Sequence, residues 1–320
     1  MSGNSDPATS PTIATIDVGT NTTLLLVARR RPGAPDAEPE VLADAAAITR
    51  LGRGIGQDGR LRSEGIAQTL AALTEYAEIA ERHGAVIAAI GTEALRRAPN
   101  AEAFLQPAAK ILGTPVEVIT GDREASLTFR AVAESFPSEI AAGRVAVVDI
   151  GGGSTEIILA DRGTLVFRRS FPLGSVRLHE RHVRSDPPSD AEARAIEQDV
   201  REGLNDAAEA FAGPPLALLI GVAGTVTSLA AMAMNLRTYD SARVHGSTLT
   251  LTQIDAQIAR LAVATQSERE TIVGLDPRRA DVIFAGALLL RTIARRAGVD
   301  AVRVSDRGIR WGLFYERASI

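Results

Sequence analysis

The stretch VVDIGGGSTEIILA, residues 147–160, places three consecutive glycines between two apolar runs. This order of residue types predicts a strand, a tight turn and a second strand. Asp149 precedes the glycines, and two hydroxyl residues and Glu156 follow them. The turn would therefore collect bare backbone N–H groups, two hydroxyls and two carboxylates in a small volume. Such a set of groups suits a phosphate and its metal ion.

A similar turn occurs near the N-terminus, in IATIDVGTNTTLLLVARR, residues 13–30. Asp17 and Gly19 align with Asp149 and Gly151, at an offset of 149 − 17 = 132 residues. This offset is far longer than the period of a solenoid repeat. It predicts two similar domains, each offering one loop to a shared cleft. Glycine-rich turns between strands are also ordinary hairpins, and that alternative stays open for each copy taken alone.

Composition limits the class of protein. The chain has 320 residues, of which 45% are hydrophobic and 23% charged, as in soluble globular proteins with two domains. Aromatic residues make up 4% and the net charge is −4, which argues against a nucleic-acid binder. The absence of cysteine excludes disulfides and thiol chemistry. No apolar run reaches the length of a membrane span, and residues 1–11 predict a disordered tail without a secretory signal, so the expected location is the cytoplasm.

Apolar runs and helical periodicity alternate along the chain. This alternation predicts an α/β protein, and the two hairpins add antiparallel strands, so the sheets should be mixed. Strands are predicted at 13–17, 24–28, 86–90, 116–119, 145–150, 156–159, 165–171, 216–221 and 301–304. Helices are predicted at 63–83, 101–112, 123–133, 189–211, 225–234, 252–264 and 277–297. Residues 29–40 are interpreted as a hairpin loop.

Three more stretches carry candidate site residues. Gly224 and Thr225 lie between a predicted strand and helix, where bare N–H groups bind anions. Thr92 and Arg96 follow the strand at 86–90 and could contact phosphate. Glu124 stands at a predicted helix start, where a carboxylate stays ionised and can act as a base toward water. Each also has a structural interpretation: a plain turn, a solvated arginine or a helix-terminal charge.

Taken together, the motifs resemble the exopolyphosphatase and guanosine pentaphosphate phosphohydrolase family. This family belongs to the superfamily of actin, sugar kinases and heat-shock chaperones. The resemblance extends from about residue 12 to 316. It rests on DVGTNTTLLL, LGRGI, GTEALRRAPN, VITGDREASL, VVDIGGGSTEI, FPLGSVRL, GVAGTVTSLAA, DPRRADVIFAGALLL and VSDRGIRWGL, in this order. It implies two actin-like, ribonuclease H-like domains with the active site in the cleft between them, one spanning 12–125 with 305–320 and the other 126–304.

The resemblance also implies roles for individual residues. Glu124 corresponds to the catalytic glutamate, which orients or deprotonates the attacking water. Asp149 and Glu156 correspond to acids that hold a divalent ion, Mg²⁺ or Mn²⁺, or the water. Arg96 corresponds to a phosphate-contacting arginine. The remaining positions correspond to phosphate-binding residues: Asp17, Gly19, Thr20, Asn21, Thr92, Gly151, Gly152, Gly153, Ser154, Gly224 and Thr225.

Two positions depart from the family pattern. Leu24 stands where the family commonly has an arginine, and it could be a core residue of the hairpin. Arg123 precedes Glu124 where many members have a second acid, and it could replace the lost charge. Longer members also continue beyond the position of Ile320 into a helical region that grips long polymers. A weaker grip, or a preference for shorter chains, is therefore expected.

The expected reaction is hydrolysis of the terminal phosphate of inorganic polyphosphate. Guanosine pentaphosphate (pppGpp) is the alternative substrate, because one site can accept both phosphoanhydrides. A small-molecule kinase of the same superfamily and a non-catalytic sensor are further alternatives, and the match around Glu124 argues against both. The resemblance implies a homodimer, and no nucleic-acid or membrane partner is expected.

Overall fold

The computed structural model describes residues 11–31, 37–207 and 211–319. Contacts divide the chain into two units: the described residues up to Ile119 together with those from Ile309 onward, and Thr120–Gly308. In this division the helix that carries Glu124 lies wholly in the second unit, whereas the sequence boundary at residue 125 divides it. The predicted disordered tail lies outside the described residues, except for Pro11.

The first unit contains a five-stranded mixed sheet in the order β3-β2-β1-β4-β5. Its first three strands pair antiparallel, and β1, β4 and β5 pair in parallel. The strands are β1 (Ile13–Val18), β2 (Thr23–Arg29), β3 (Glu40–Ala47), β4 (Val86–Gly91) and β5 (Val116–Val118). The helices are Ile55–Asp58, Ser63–Arg82, Glu93–Arg97, Glu102–Leu112 and Ile309–Arg317.

The C-terminal helix of this unit is tied to the sheet by polar contacts. Thr15 in the buried centre of β1 donates its hydroxyl hydrogen bond, 2.8 Å long, to the backbone carbonyl of Arg310. The Arg310 guanidinium, which is also buried, pairs with Asp44 of β3 at 3.1 Å. A chain segment nearly 300 residues from β1 is thus fixed beside it by paired groups, as buried polar atoms require.

The second unit contains a six-stranded mixed sheet in the order β10-β11-β9-β6-β7-β8. Strands β6, β7 and β8 pair antiparallel, and β6, β9 and β11 pair in parallel. The strands are β6 (Arg144–Ile150), β7 (Thr155–Asp161), β8 (Thr164–Phe171), β9 (Leu218–Val222), β10 (Thr248–Thr250) and β11 (Ala301–Val304). The helices are Gly121–Ser135, Pro137–Ala142, Ser175–His182, Asp190–Gly203, Ala223–Ala233, Ser241–Val244, Leu251–Val263, Gln266–Arg269 and Ile283–Ala297, with 3₁₀ turns at Asn205–Ala207 and Pro277–Arg279.

The two sheets share one topology. In the first unit the order is 3-2-1-4-5; in the second, β8-β7-β6-β9-β11 has the same order and the same pattern of strand directions. Strands β6 and β9 are apolar and buried, as expected for strands covered by helices on both faces. The predicted fold class, two α/β units with mixed sheets flanked by helices, is confirmed.

The structure differs from the sequence interpretation at several elements. Strand β3 was not predicted: only its first residue, Glu40, falls in the stretch interpreted as a loop, and its alanine-rich sequence EVLADAAA has weak strand propensity. It forms because the edge of β2 provides its hydrogen-bonding partner. The helix predicted at 189–211 is Asp190–Gly203 followed by a 3₁₀ turn, and residues 208–210 lie outside the described residues.

No helix among the described residues is long and apolar enough to cross a membrane.

Candidate active site

The two glycine turns contain an equivalent backbone hydrogen bond. In the second unit the N–H of Gly151 donates to the carbonyl of Ser154 at 3.0 Å. In the first unit the N–H of Gly19 donates to the carbonyl of Thr22, also at 3.0 Å. Each turn follows the first strand of its sheet and leads into an antiparallel partner. The alignment of Asp17 with Asp149 therefore reflects equivalent positions in two equivalent hairpins.

The hairpin register shows what differs between the two copies. Asp149 on β6 is the direct cross-strand partner of Glu156 on β7. Directly opposed residues in an antiparallel pair point to the same face, so these two carboxylates are neighbours. In the first unit, Asp17 on β1 faces Leu24 on β2 instead. The paired-acid arrangement is thus a property of the second unit.

The paired carboxylates of Asp149 and Glu156 are both buried and hydrogen-bonded. Asp149 is 5% exposed, and its Oδ2 accepts a hydrogen bond of 2.8 Å from Oγ1 of Thr128. Burial raises the pKa of Asp149 to about 6, and the Thr128 hydrogen bond lowers it in part. Glu156 is 2% exposed, and its Oε1 accepts hydrogen bonds from the hydroxyls of Ser154 at 3.0 Å and Ser170 at 2.6 Å.

Glu124 reaches this region from the helix Gly121–Ser135. Thr120 caps the helix by accepting the backbone N–H of Arg123 on its side chain, and Glu124 lies in the first turn, 3% exposed. Glu124 and Thr128 are four residues apart and share one face of the helix. Because Thr128 bonds to Asp149, this face lies against β6 and β7. The buried carboxylate of Glu124 is therefore presented on the side of the helix that meets the acid pair.

The first turn of the helix Ser175–His182 donates hydrogen bonds to the carbonyls of the triple-glycine turn. The backbone N–H of Ser175 donates to the carbonyl of Gly151, and those of the next two residues donate to the carbonyl of Gly152, at 3.0 to 3.1 Å. The Arg177 side chain donates from Nε to the carbonyl of Gly153 at 2.8 Å. These contacts use the turn's carbonyls, and the N–H of Gly151 is already bonded to Ser154 within the turn. The N–H groups of residues 152–154 are therefore the donors that the turn could offer to an anion.

The third glycine turn joins β9 to the helix Ala223–Ala233. Ala223 adopts a left-handed conformation with φ of 69°, a costly state for a residue with a Cβ, and such residues cluster at functional sites. The Arg279 guanidinium packs on Gly224: a Cβ at Gly224 would lie 2.2 Å from Nη1 of Arg279. The N-terminus of this helix and the Arg279 guanidinium therefore lie together at Gly224, next to the buried Thr225.

The predicted phosphate contacts of the first unit lie in the turn after β1 and just beyond the end of β4. Asn21 is 7% exposed, and among the residues that the structure describes its Nδ2 has no hydrogen-bond partner. A buried donor without a partner calls for an explanation, and a ligand oxygen would provide one. The backbone N–H of Thr92, at the end of β4, donates to the carbonyl of Val18 at 3.2 Å. Arg96 is half-buried and donates from Nη1 to the carbonyl of Ile119 at 2.6 Å.

Leu24 and Arg123, the two departures from the family pattern, now have structural positions. Leu24 is half-buried and lies outside the apolar core of its unit, so the expectation of a core leucine is wrong. Successive side chains of a strand point to opposite faces of the sheet, so Leu24 points away from the buried Leu25. Leu24 is the direct cross-strand partner of Asp17, and both side chains therefore lie on one face. Arg123 is half-buried in the first turn of the Glu124 helix.

Sequence reasoning missed four side chains that contact the predicted site residues. All four lie inside or beside recognised motifs, but nothing in those motifs showed which site residue each would meet: Thr128, Ser170, Arg177 and Arg279. In the part of the chain that the structure describes, no group of three or more His, Cys, Asp or Glu side chains is arranged to hold a metal ion.

Known proteins are similar to this chain in sequence and architecture. The sequence model of the Ppx/GppA phosphatase family matches residues 26–319. Exopolyphosphatase 2 of Mycobacterium tuberculosis is 37% identical over 314 residues, covering 94% of this chain and 97% of that protein. The guanosine-5'-triphosphate,3'-diphosphate pyrophosphatase of Vibrio vulnificus is 29% identical over 319 residues, covering 98% of this chain and 61% of that protein. A crystal structure of an exopolyphosphatase from Cytophaga hutchinsonii covers 96% of this chain and 98% of its own, with a TM-score of 0.87 and 28% identity.

Proposed function

This chain belongs to the Ppx/GppA phosphatase family, and on that basis we propose that it is an exopolyphosphatase, which releases orthophosphate from the end of inorganic polyphosphate. Its similarity to exopolyphosphatase 2 over nearly the full length of both chains supports this substrate. One structural observation carries the proposal. Glu124 lies on the same helix face as Thr128, and Thr128 donates a hydrogen bond to Asp149. Asp149 belongs to the β6–β7 hairpin, whose glycine turn could offer backbone N–H groups to a phosphate.

The chemistry that we propose needs a charged site and an oriented water. The N–H groups of the triple-glycine turn and the start of the helix Ala223–Ala233, with Arg279, balance the negative charge of the terminal phosphate. Glu124 orients a water or takes its proton while the water oxygen attacks the terminal phosphorus. The bond from that phosphorus to the bridging oxygen breaks. Orthophosphate leaves, together with a polyphosphate that is one phosphate shorter.

We propose that Asp149 and Glu156 hold a divalent cation, Mg²⁺ or Mn²⁺. The donor set fits, because both groups are buried carboxylates on facing strands and the hydroxyl contacts around them add only oxygen. Magnesium binds through one or two carboxylates and completes its shell with water and substrate phosphates. When bound, the ion would neutralise charge on the phosphate oxygens.

For the first unit we propose phosphate-contacting roles that rest on the family resemblance and on local geometry. Asn21 provides the argument from geometry, since its buried Nδ2 has no partner within the described chain. Arg96 provides the argument from charge, because guanidinium groups bind phosphate oxygens in a fixed geometry. The other positions are proposed as parts of the first phosphate loop and of the segment that follows β4: Asp17, Gly19, Thr20 and Thr92.

Guanosine pentaphosphate is the second candidate substrate. The similarity to the Vibrio pyrophosphatase supports it, although the match spans only 61% of that protein. The full-length match to exopolyphosphatase 2 places polyphosphate first.

The test is phosphate release by purified protein with Mg²⁺ on four substrates in parallel: short polyphosphate, long polyphosphate, guanosine pentaphosphate and ATP. Faster release from polyphosphate than from the nucleotides would support the proposal. Release chiefly from guanosine pentaphosphate would replace it with the alternative, and release from none would contradict both. Light scattering during size exclusion would test the homodimer that the resemblance implies. The cytoplasmic location stays a prediction.

A further inference from the structure

Ser170 lies in the same row of the sheet as the two acids. It is the direct cross-strand partner of Glu156 on β8, as Asp149 is on β6. Its Oγ donates a hydrogen bond of 2.6 Å to Oε1 of Glu156, the oxygen that also accepts from Ser154. Two donors that converge on a single oxygen fix the rotation of the carboxylate about its side-chain bonds. Ser170 therefore contributes to the orientation of Glu156.

Ser170 also touches the helix that carries Glu124. A Cβ built on Gly121, the first residue of this helix, would lie 2.4 Å from Cβ of Ser170 and 3.0 Å from its Oγ. This separation is well below contact distance, so only glycine allows the helix to approach β8 this closely. Gly121 and Glu124 are three residues apart and share a helix face. The contact at Gly121 therefore fixes how closely the first turn of this helix, which carries Glu124, approaches β8.

These two contacts connect Glu124 and Glu156 through a single side chain. We propose that Ser170, resting on Gly121, is a positioning residue for the hydrolytic reaction: it fixes the separation between the Glu124 helix and the Glu156 carboxylate. This inference rests on the proposed function, because it takes these two glutamates as groups that act on the substrate. Displacement of a catalytic group by about 1 Å can reduce a rate about 100-fold, so a methyl-sized change at this contact is large enough to measure.

The experiment uses the full chain, Mg²⁺ and the substrate that the wild type hydrolyses fastest. Ser170→Ala removes the hydroxyl and keeps the Cβ contact with Gly121, and kcat should fall about tenfold with KM little changed. Gly121→Ala adds the clashing methyl, and kcat should fall about 100-fold. In the double variant Gly121→Ala with Ser170→Gly, the new methyl occupies the space that the serine side chain leaves. Its kcat should therefore equal that of Ser170→Gly alone within about twofold.

A matched control comes from the same helix. Ser135 near its C-terminal end donates its hydroxyl to the carbonyl of Ala131 at 2.7 Å, and Ser135→Ala should leave kcat and KM unchanged. The melting temperature and the calorimetric affinity for Mn²⁺ without substrate are measured for every variant. A positioning role predicts that Ser170→Ala lowers kcat or weakens Mn²⁺ binding while its melting temperature stays close to that of the wild type.

Several outcomes would overturn the inference. An active wild type whose Ser170→Ala variant keeps full kcat and Mn²⁺ affinity would overturn it and leave the proposed function standing. A Gly121→Ala loss that persists undiminished beside Ser170→Gly would show that the contact carries no coupling, and would also overturn it. If Gly121→Ala fails to fold, a double variant that folds and has the kcat of Ser170→Gly supports the inference, and a double variant that also fails to fold contradicts it. A wild type that hydrolyses none of the four substrates would overturn the proposed function, and this inference with it.

Discussion

The Oγ1 hydroxyl of Thr128 donates a hydrogen bond of 2.8 Å to Oδ2 of Asp149, and both residues are buried. The bond joins the Glu124 helix to the central strand of the second sheet. It also supplies a donor to a carboxylate that burial would otherwise leave poorly solvated. One hydroxyl therefore has two effects: it positions a helix, and it favours the ionised form of an acid at the candidate cation site.

Replacement of Thr128 by valine should reduce kcat about tenfold, because a donor to a buried carboxylate is lost without a change of shape. The pKa of Asp149 should rise further above 6, because the hydrogen bond lowers it in the wild type. The acid limb of the kcat–pH profile should then move to higher pH. Thr128→Ser should restore both properties. Thr74→Val, which removes an exposed helix hydroxyl, is the control, and an unmoved acid limb in Thr128→Val would contradict the prediction.

Glu124→Gln should lower kcat by about 10² to 10⁴, the contribution of a general base, with the melting temperature nearly unchanged. Phosphate release and thermal unfolding measure the two effects. Glu134→Gln alters an exposed glutamate on the same helix and should be silent in both. Near-native turnover of a folded Glu124→Gln variant would remove Glu124 from the role of base.

Asp149→Asn should stabilise the metal-free protein at pH 7 while it abolishes turnover. The pKa of Asp149 is about 6 in the folded chain and 3.8 in its ordinary state. Its folded-state pKa is raised, so its stabilising contribution is present below about pH 4 and is lost as pH rises through 6. The loss is on the order of 3 kcal/mol in the free energy of unfolding. Denaturant unfolding from pH 4 to 8 should therefore show a flatter profile for Asp149→Asn.

The same variant tests the cation. Added Mg²⁺ should raise the melting temperature of the wild type, since a ligand that binds only the folded state stabilises it. The Asp149→Asn variant should respond much less. An equal response in both proteins would show that the ion binds elsewhere.

Asn21→Ala should raise KM for polyphosphate, by about tenfold for a lost hydrogen bond to a charged group, at little cost in stability. The reason is that Nδ2 of Asn21 has no partner within the described chain to lose. Asn100 is the matched contrast, since it exchanges two hydrogen bonds with the backbone of Leu61. Asn100→Ala should lower the melting temperature and leave KM unchanged. The prediction fails if Asn21→Ala loses stability without a change in KM.

Leu24→Arg should lower KM for polyphosphate severalfold. The side chain is half-buried beside Asp17. An arginine there would add the cation that the family resemblance leads us to expect at this position. Because the added charge acts through Coulomb attraction, the gain should shrink as salt is raised. Val41→Arg, at an exposed position on β3, adds the same charge to the same sheet and serves as the control. An equal gain from both variants would show a general charge effect.

Local sequence patterns were sufficient to predict the two hairpins and the acidic residues that they carry. A strand, a three-glycine turn and a second strand bring Asp149 and Glu156 face to face, because residues that flank a tight turn pair directly across it. The same reasoning applied to Asp17 and correctly predicted two units of one topology. It failed for β3, whose alanine-rich sequence carries little strand signal and depends on β2 for its pairing.

The sequence by itself therefore determined the α/β class, the paired glycine turns and the family to which the chain belongs. Tertiary structure decided which hydroxyl meets which acid: Thr128 is 21 residues from Asp149, and Ser170 is 14 from Glu156. It also decided that burial raises the pKa of Asp149 to about 6 and that Leu24 lies beside Asp17, outside the core. The physical reason is that periodicity and turn chemistry are local, whereas burial and side-chain contact depend on how a helix packs on its sheet.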